Sequence, residues 1–357
     1  MRKDKGLSHQ KLLEASKDSG KAAKAANLVY VTGKGAGITR QQKGNSFIYW
    51  TGKKRVTDKN QLERIKKLAI PPSWTNVWIC PSPNGHIQAT GYDLRNRKQY
   101  RYHPRWSSLR HETKFHHLYE FGKHLPKLRR KISRDINARK LTQQKVLAAA
   151  IDLMEKTYIR VGNETYEREN GSYGLTTLKD RHVSVKRDKL FVSFTGKKGI
   201  EHNIGITNKR LAQIVKECRD IPGKTLFQYF DDEKRRHAID SAMLNSYIKA
   251  ATGPEFSAKD IRTWAGSIQA IQYLMNGNGN LSNEAGGSKT SSAMLDWVSE
   301  KLGNSRNICK KYYVHPSLLA FCEGAPLPQL KNADSKFNKC EQILMCVLKN
   351  HRSPISG

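Results

Sequence analysis

Apolar and polar side chains alternate in short runs over the first third of the chain, and recur at helical spacing over most of the remainder. From Leu28 the runs LVYVT, SFIYW, VWICP and IQATGYD predict short strands, with GKGAG and QQKGN as turns between the first two. GKGAG lacks the GK[ST]-then-helix setting of a phosphate loop and reads as a hairpin turn. NQLERIKKLA predicts a short helix that breaks at Pro71–Pro72. Past QYRYHPRW, ending at Trp106, the pattern turns helical. In LTQQKVLAAAIDLMEKTYIRVG the residues Leu147, Ala150, Ile151, Met154, Tyr158 and Val161 form one apolar stripe, Gly162 stops it, and Arg160 lies off it. VSVK and KLFVSFTGKKGIEHNIGI then predict a hairpin: Leu190, Val192 and Phe194 alternate, Ile200, Ile204 and Ile206 resume, and Lys197 and Lys198 sit at the tip.

Helices follow in NKRLAQIVKECRD, RRHAIDSAMLNSYIKAAT and SAKDIRTWAGSIQAIQYLM. In the last, Ser257 and Asp260 form a capping pair that puts Arg262 in the first turn. NGNGNLSNEAGGSKTSS (276–292) reads as a flexible connector into a helix through Trp297 and Leu302 that breaks at Gly303. EQILMCVLKN closes the pattern as a short helix.

Composition narrows the partner. The 357 residues carry 64 Lys plus Arg against 31 acids, a formal net charge of +33, far beyond what solubility requires. Such an excess points to a polyanion, with nucleic acid first. Residues 101–145 alone hold thirteen Lys or Arg against three acids, which predicts a DNA-facing surface. A hydrophobic content of 37% with six tryptophans indicates a folded globule, and no long apolar run suggests a membrane span. The six cysteines include no C-x-x-C pair, which fits a reducing cytoplasm. His111, His116 and His117 lack companions at ligand spacing, so no metal site is expected. Residues 1–27, rich in Lys, Ala, Ser and Gly with few large apolar side chains, read as a mobile basic tail.

The stretch SRNICKKYYVHP places Tyr312 and Tyr313 side by side. Helical geometry turns them roughly 100° apart. Pairing Ile308 with Tyr312 makes Tyr312 the packing residue, while pairing Cys309 with Tyr313 reverses the choice. Arg160, Lys197, Arg262 and Tyr313 together suit phosphoryl transfer on a DNA backbone. A tyrosine hydroxyl can attack phosphorus and divide one hard step into two. Two arginines can hold the non-bridging oxygens. A lysine can protonate the departing 5′ oxygen. Phenols are weak acids, so a cationic pocket would favour the attacking form.

YIRVGNETYERENGSYGLTTLKDRHV (158–183), the TGKKG hairpin, SAKDIRTWAGS (257–267) and LGNSRNICKKYYVHP (302–316), in this order, resemble the type IB DNA topoisomerases of the small poxvirus-like bacterial group. LAIPPSWTNVWICPSPNGHIQATGYDLRNRKQYRYHPRW (68–106) resembles the small N-terminal domain of that family. The resemblance implies an α+β chain: a β-rich N-terminal DNA-binding domain at 28–106, a mainly helical catalytic domain with a small sheet at 107–350, and tails at 1–27 and 351–357. It implies a C-shaped clamp on double-stranded DNA, and relaxation of supercoils through a 3′-phosphotyrosyl intermediate, strand rotation and religation. It further implies a cytoplasmic, nucleoid-associated monomer that uses neither ATP, metal nor other cofactor.

Residue by residue, Tyr313 matches the nucleophile, Arg160 and Arg262 the two arginines, and Lys197 the general acid, with Lys198 as its alternative. The family often carries a histidine nine residues before the tyrosine. Asn304 stands there in this chain, and its amide can still donate to a phosphate oxygen. Gln99, Tyr100 and Tyr102 match DNA contacts of the N-terminal domain, and Tyr166 a further contact after the first arginine. The rival readings are a tyrosine recombinase, whose helical N-terminal pattern is missing, and a non-catalytic basic nucleic-acid-binding protein.

Overall fold

The computed structural model describes residues 14–15, 18–253, 255–278, 287–330 and 334–350. These form two compact units, divided after His117.

The first unit is built on an antiparallel six-stranded sheet in the order β3-β2-β1-β4-β5-β6. Its strands are β1 (Ile38–Lys43), β2 (Ser46–Thr51), β3 (Lys54–Arg55), β4 (Thr75–Ile79), β5 (Ile87–Tyr92) and β6 (Lys98–Tyr102). Ile38, Val77, Ile79 and Ala89 pack under helix α2 (Lys59–Lys67) through its Ile65. Asp58 caps α2 by accepting from the Gln61 amide. Arg40 ties the loop after α2 to the sheet by donating to the carbonyls of Pro71, Pro72 and Trp74.

Two expectations for this region are corrected. LVYVT makes no strand: Val29 forms a single parallel bridge to Gly85, and Val29 and Tyr30 are exposed. The strand is instead ITRQQK, whose QQK was expected as turn; it is central in the sheet and pairs with β2 and β4 through its backbone. The expected basic tail also holds structure, a helix α1 (Ser19–Ala25) capped by Asp18. Its Ala22 and Ala23, with Ala15, Ala26 and Leu28, are buried against Trp106 and Leu109. The remaining tail residues lie outside the described residues.

Helix α3 (Pro104–Ile136) runs on past the division. The second unit centres on α4 (Gln143–Thr157) and α8 (Ala258–Tyr273), both buried along nearly their whole length. Around them come α5 (Glu164–Asn170), α6 (Lys209–Arg219), α7 (Ser241–Thr252), α9 (Gly287–Leu302), α10 (Arg306–Tyr312), α11 (Ser317–Cys322) and α12 (Lys339–Asn350). A three-stranded sheet, β7 (Val183–Lys186), β8 (Lys189–Thr195) and β9 (Glu201–Thr207), buries Val183, Leu190, Val192 and Phe194 on one face. The small ribbon of β10 (Gln228–Phe230) and β11 (Arg236–Ala238) places RHA, expected as helix, in a strand.

Helix α4 ends at Thr157, earlier than expected, because Tyr158 adopts a left-handed backbone with φ 58° and caps it. Of the expected connector, 287–292 belong to α9, and 279–286 lie outside the described residues. Residues 351–357 do too.

One ion cluster locks α3, α4 and α12 together. The Arg129 guanidinium meets Glu155 at 2.5 Å and Glu341 at 2.7 Å, and Trp264 of α8 donates to the same Glu341 carboxylate. Burial alone would lower the Arg129 pKa, but the two carboxylates hold it above the ordinary arginine value. Removing the arginine would leave the buried Glu341 carboxylate and the half-buried Glu155 carboxylate without their shared cation. Arg129→Met is therefore expected to destabilise the protein by about 3–5 kcal/mol, read from the urea midpoint.

Candidate active site

Each proposed catalytic side chain of the second unit is delivered by a backbone feature that fixes where it starts. Arg160 lies on the loop after α4. Gly174 approaches that loop so closely that a Cβ on it would stand 2.7 Å from the Arg160 carbonyl and 2.5 Å from the Gly162 Cα. Leu175 and Thr176 then donate to the carbonyls of Arg160 and Val161. Gly162, at φ 95°, takes a conformation that L side chains rarely adopt. The loop thus leaves the α4 stripe and carries Arg160 inward.

Arg262, expected in the first turn, projects from the start of the second turn of α8, whose start is fixed by the Ser257–Asp260 capping box. It is only 4% exposed. Its Nη2 donates to the Leu302 carbonyl at 3.0 Å, whereas Nε and Nη1 are buried with no hydrogen-bond acceptor among the described residues. Arg160 donates through its Nη2 to the Asn304 side-chain oxygen. The two arginines therefore share the short turn Leu302–Gly303–Asn304. Burial pushes both guanidinium pKa values below the ordinary arginine value, and Tyr313 opposes that shift in each. Guanidinium stays protonated regardless, so the site holds two desolvated positive charges.

Tyr313 ends α10. Its amide still donates to the Cys309 carbonyl, but at φ −126° and ψ −26° the residue has left helical geometry. Its ring lies 5.5 Å from the Arg262 guanidinium carbon. The backbone is clamped from α8: Ser267 Oγ donates to the Tyr313 carbonyl at 3.0 Å and accepts from the His315 amide at 3.2 Å. A Cβ on Gly266 would stand 2.6 Å from the Tyr313 Cβ. Of the two faces that helical spacing left open, the Cys309 face is buried. The packing role given to Tyr312 is thus corrected, since that residue is 38% exposed with Lys311 over its ring. Burial raises the Cys309 thiol pKa to about 11, against the pull of both arginines.

Lys197 sits at the tip of the β8–β9 hairpin, in a short 3₁₀ turn where Lys198 takes a left-handed φ of 67°. Its ammonium lies 4.9 Å from the centre of the Tyr166 ring on α5. Tyr166 itself is exposed, and Asn163 caps its helix. Arg160, Arg262, Asn304 and Tyr313 are thus brought together, and Lys197 and Tyr166 form a pair of their own.

In the first unit the three expected DNA contacts divide between two faces of β6. Tyr100 and Tyr102 stack at 5.7 Å on an exposed face beside Lys98. Gln99 alternates to the other face, where its amide donates to Asp93.

Sequence reasoning passed over Gly266, Ser267 and His202. The adjacent Gly and Ser inside a bulky helical run, and a histidine in the inward register of Ile200, Ile204 and Ile206, were the available signals. Among the described residues no helix is long and apolar enough to cross a membrane, and no cluster of three metal-ligating side chains occurs.

Comparison with known proteins defines the class. Residues 103–325 match the family model for the catalytic core of eukaryotic DNA topoisomerase I, and residues 46–93 that for the N-terminal domain of bacterial DNA topoisomerase IB. The chain is 32% identical over 331 residues to DNA topoisomerase 1B of Acanthamoeba polyphaga mimivirus, covering 90% of this chain and 97% of that protein. It is 22% identical over 275 residues to DNA topoisomerase 1B of vaccinia virus strain Copenhagen, covering 74% and 83%, and equally similar to DNA topoisomerase I of monkeypox virus. The chain belongs to the type IB DNA topoisomerases, in their small poxvirus-like group.

The contact between Gly266 and Tyr313 is testable. Gly266→Ala should improve helix propensity yet push Tyr313 outward. Single-turnover DNA cleavage should then slow by roughly 10²-fold, the cost of about 1 Å of misplacement, with non-covalent DNA affinity unchanged.

Proposed function

We propose that this chain relaxes supercoiled duplex DNA by reversible transesterification, with Tyr313 as nucleophile. The Tyr313 oxygen attacks the scissile phosphorus as its proton passes to water. The bond from phosphorus to the 5′ oxygen breaks, and that oxygen collects a proton from Lys197. A 3′-phosphotyrosyl bond then holds the nicked strand while the other end rotates. Return attack by the 5′ hydroxyl restores the phosphodiester and frees the tyrosine. The phosphotyrosine conserves the bond energy, so the cycle needs no ATP.

The observation that carries this reading is the buried Arg262 guanidinium beside Tyr313, whose Nε and Nη1 meet no acceptor among the described residues. A non-bridging phosphate oxygen would satisfy them, and Arg160 supplies a second fork for the charge that grows in the transition state. Asn304, already accepting from Arg160, can turn its amide N–H groups toward the same phosphate.

Tyr166 holds the Lys197 ammonium beside the first arginine motif, which favours Lys197 over Lys198 as the acid. Tyr100 and Tyr102 offer stacked, exposed rings and Gln99 a polar group for DNA contact. The proposal includes a β-rich DNA-binding domain at 28–106 and a catalytic domain at 107–350 that close as a clamp. It also includes action as a monomer on cytoplasmic nucleoid DNA. The +33 net charge supports the DNA contact. The topoisomerase N-terminal match at residues 46–93 argues against a recombinase.

Supercoiled plasmid incubated in EDTA without nucleotide tests the reaction. Wild type should yield a ladder of relaxed topoisomers, Tyr313→Phe none, and Tyr312→Phe most of the wild-type rate. Relaxation by Tyr313→Phe, or its loss in Tyr312→Phe, would overturn the assignment.

A further inference from the structure

His202 lies on β9 opposite Phe194, and the two rings stack at 4.7 Å with an interplanar angle of 10°. The far edge of the imidazole is held by two glycines from different parts of the chain. A Cβ on Gly196, at the base of the Lys197 tip, would come within 2.7 Å of both Cδ2 and Nε2. A Cβ on Gly303, in the turn that both arginines grip, would come within 2.6 Å of Cε1 and 3.0 Å of Nε2. Gly196 has φ −91°, which any residue adopts, so glycine is required there for room and not for backbone freedom. Its amide also closes the hairpin by donating to the Ile200 carbonyl at 2.7 Å. The ring is thus seated between the base of the lysine tip and the Leu302–Asn304 turn.

We propose that His202 is a positioning residue of this active site, a wedge that fixes the Lys197 hairpin tip relative to the turn holding Arg160 and Arg262. The proposal rests on the reading of Lys197 as the general acid. Electrostatics suit the role. Burial lowers the imidazole pKa below its ordinary value, Arg160 and Arg262 lower it further, and Glu201 opposes them. The ring is therefore neutral at neutral pH and brings no third positive charge to the two arginines. A flat, stiff ring stacked on the buried Phe194 also transmits the position of the sheet to both glycines, which a flexible side chain would not do.

Single-turnover cleavage of two duplexes provides the test, one with the ordinary 5′ bridging oxygen and one with a 5′ bridging sulfur. The sulfur leaves without protonation, so it reports only defects that act through the acid. Lys197→Ala should be slow on oxygen and rescued on sulfur. His202→Ala should slow oxygen cleavage by roughly 10²-fold, as for misplacement by about 1 Å, and should also be rescued on sulfur. Added to Lys197→Ala, it should cost little more, because the two then fail at one step. Gly196→Ala should reproduce the His202→Ala defect, and His202→Ala in the same chain should relieve the crowding that the new methyl causes.

Urea midpoint and non-covalent DNA affinity establish that each variant is folded. Should His202→Ala not fold, Gly196→Ala carries the same comparison. A rescued Lys197→Ala beside a His202→Ala that is unimpaired, or equally slow on both duplexes, would overturn the positioning role and leave the lysine in place. A Lys197→Ala that sulfur does not rescue would remove the acid assignment and the inference with it.

Discussion

A guanidinium that is 4% exposed, with two of its nitrogens lacking an acceptor among the described residues, is costly to a folded protein, and the second unit is built around that cost. Arg262 donates to the Leu302 carbonyl and lies beside Tyr313, whose side chain also hydrogen-bonds to it. A structural arginine would have acquired carboxylate partners, as Arg129 has with Glu155 and Glu341. The contrast between the buried Arg262 and the half-buried, carboxylate-paired Arg129 is what the proposed phosphate role of Arg262 would explain.

Helices supply the rigidity of this site, and glycines supply its closeness. α8 carries Arg262 near its start and, one turn later, Gly266 and Ser267, which clamp the backbone of Tyr313. One helix therefore sets the positions of both Arg262 and Tyr313. Gly174 against the Arg160 loop, and Gly196 and Gly303 against His202, repeat the same device from loops and strands. Close backbone approach leaves these segments little room to shift, and positional error is what phosphoryl transfer tolerates least.

The local elements that carry the proposed catalytic residues were legible in the sequence because each depends on local geometry: the capping box before Arg262, the alternating hairpin beneath Lys197, the basic helix before Tyr313. The errors arose where tertiary context overrides local pattern. LVYVT has strand composition but little pairing, while the polar ITRQQK is a central strand whose hydrogen bonds need no apolar side chains. The alanines of α1 were read as part of the basic tail, yet they pack against Trp106 and Leu109. Helical spacing could not choose between Tyr312 and Tyr313, because the choice is made by Gly266 and Ser267, far away in sequence. His202 is of the same kind: its role appears only when Gly196 and Gly303 meet around it.

The central claim is that Arg262 is held at the expense of stability for the sake of a phosphate. Replacing it with a residue of similar volume and no charge separates the two. In the DNA-free protein, Arg262→Met should leave the urea midpoint unchanged or raise it, while single-turnover DNA cleavage falls by roughly 10²-fold or more. A clear loss of stability in step with the loss of cleavage would contradict the account, and would make Arg262 a structural tie to the Leu302 carbonyl.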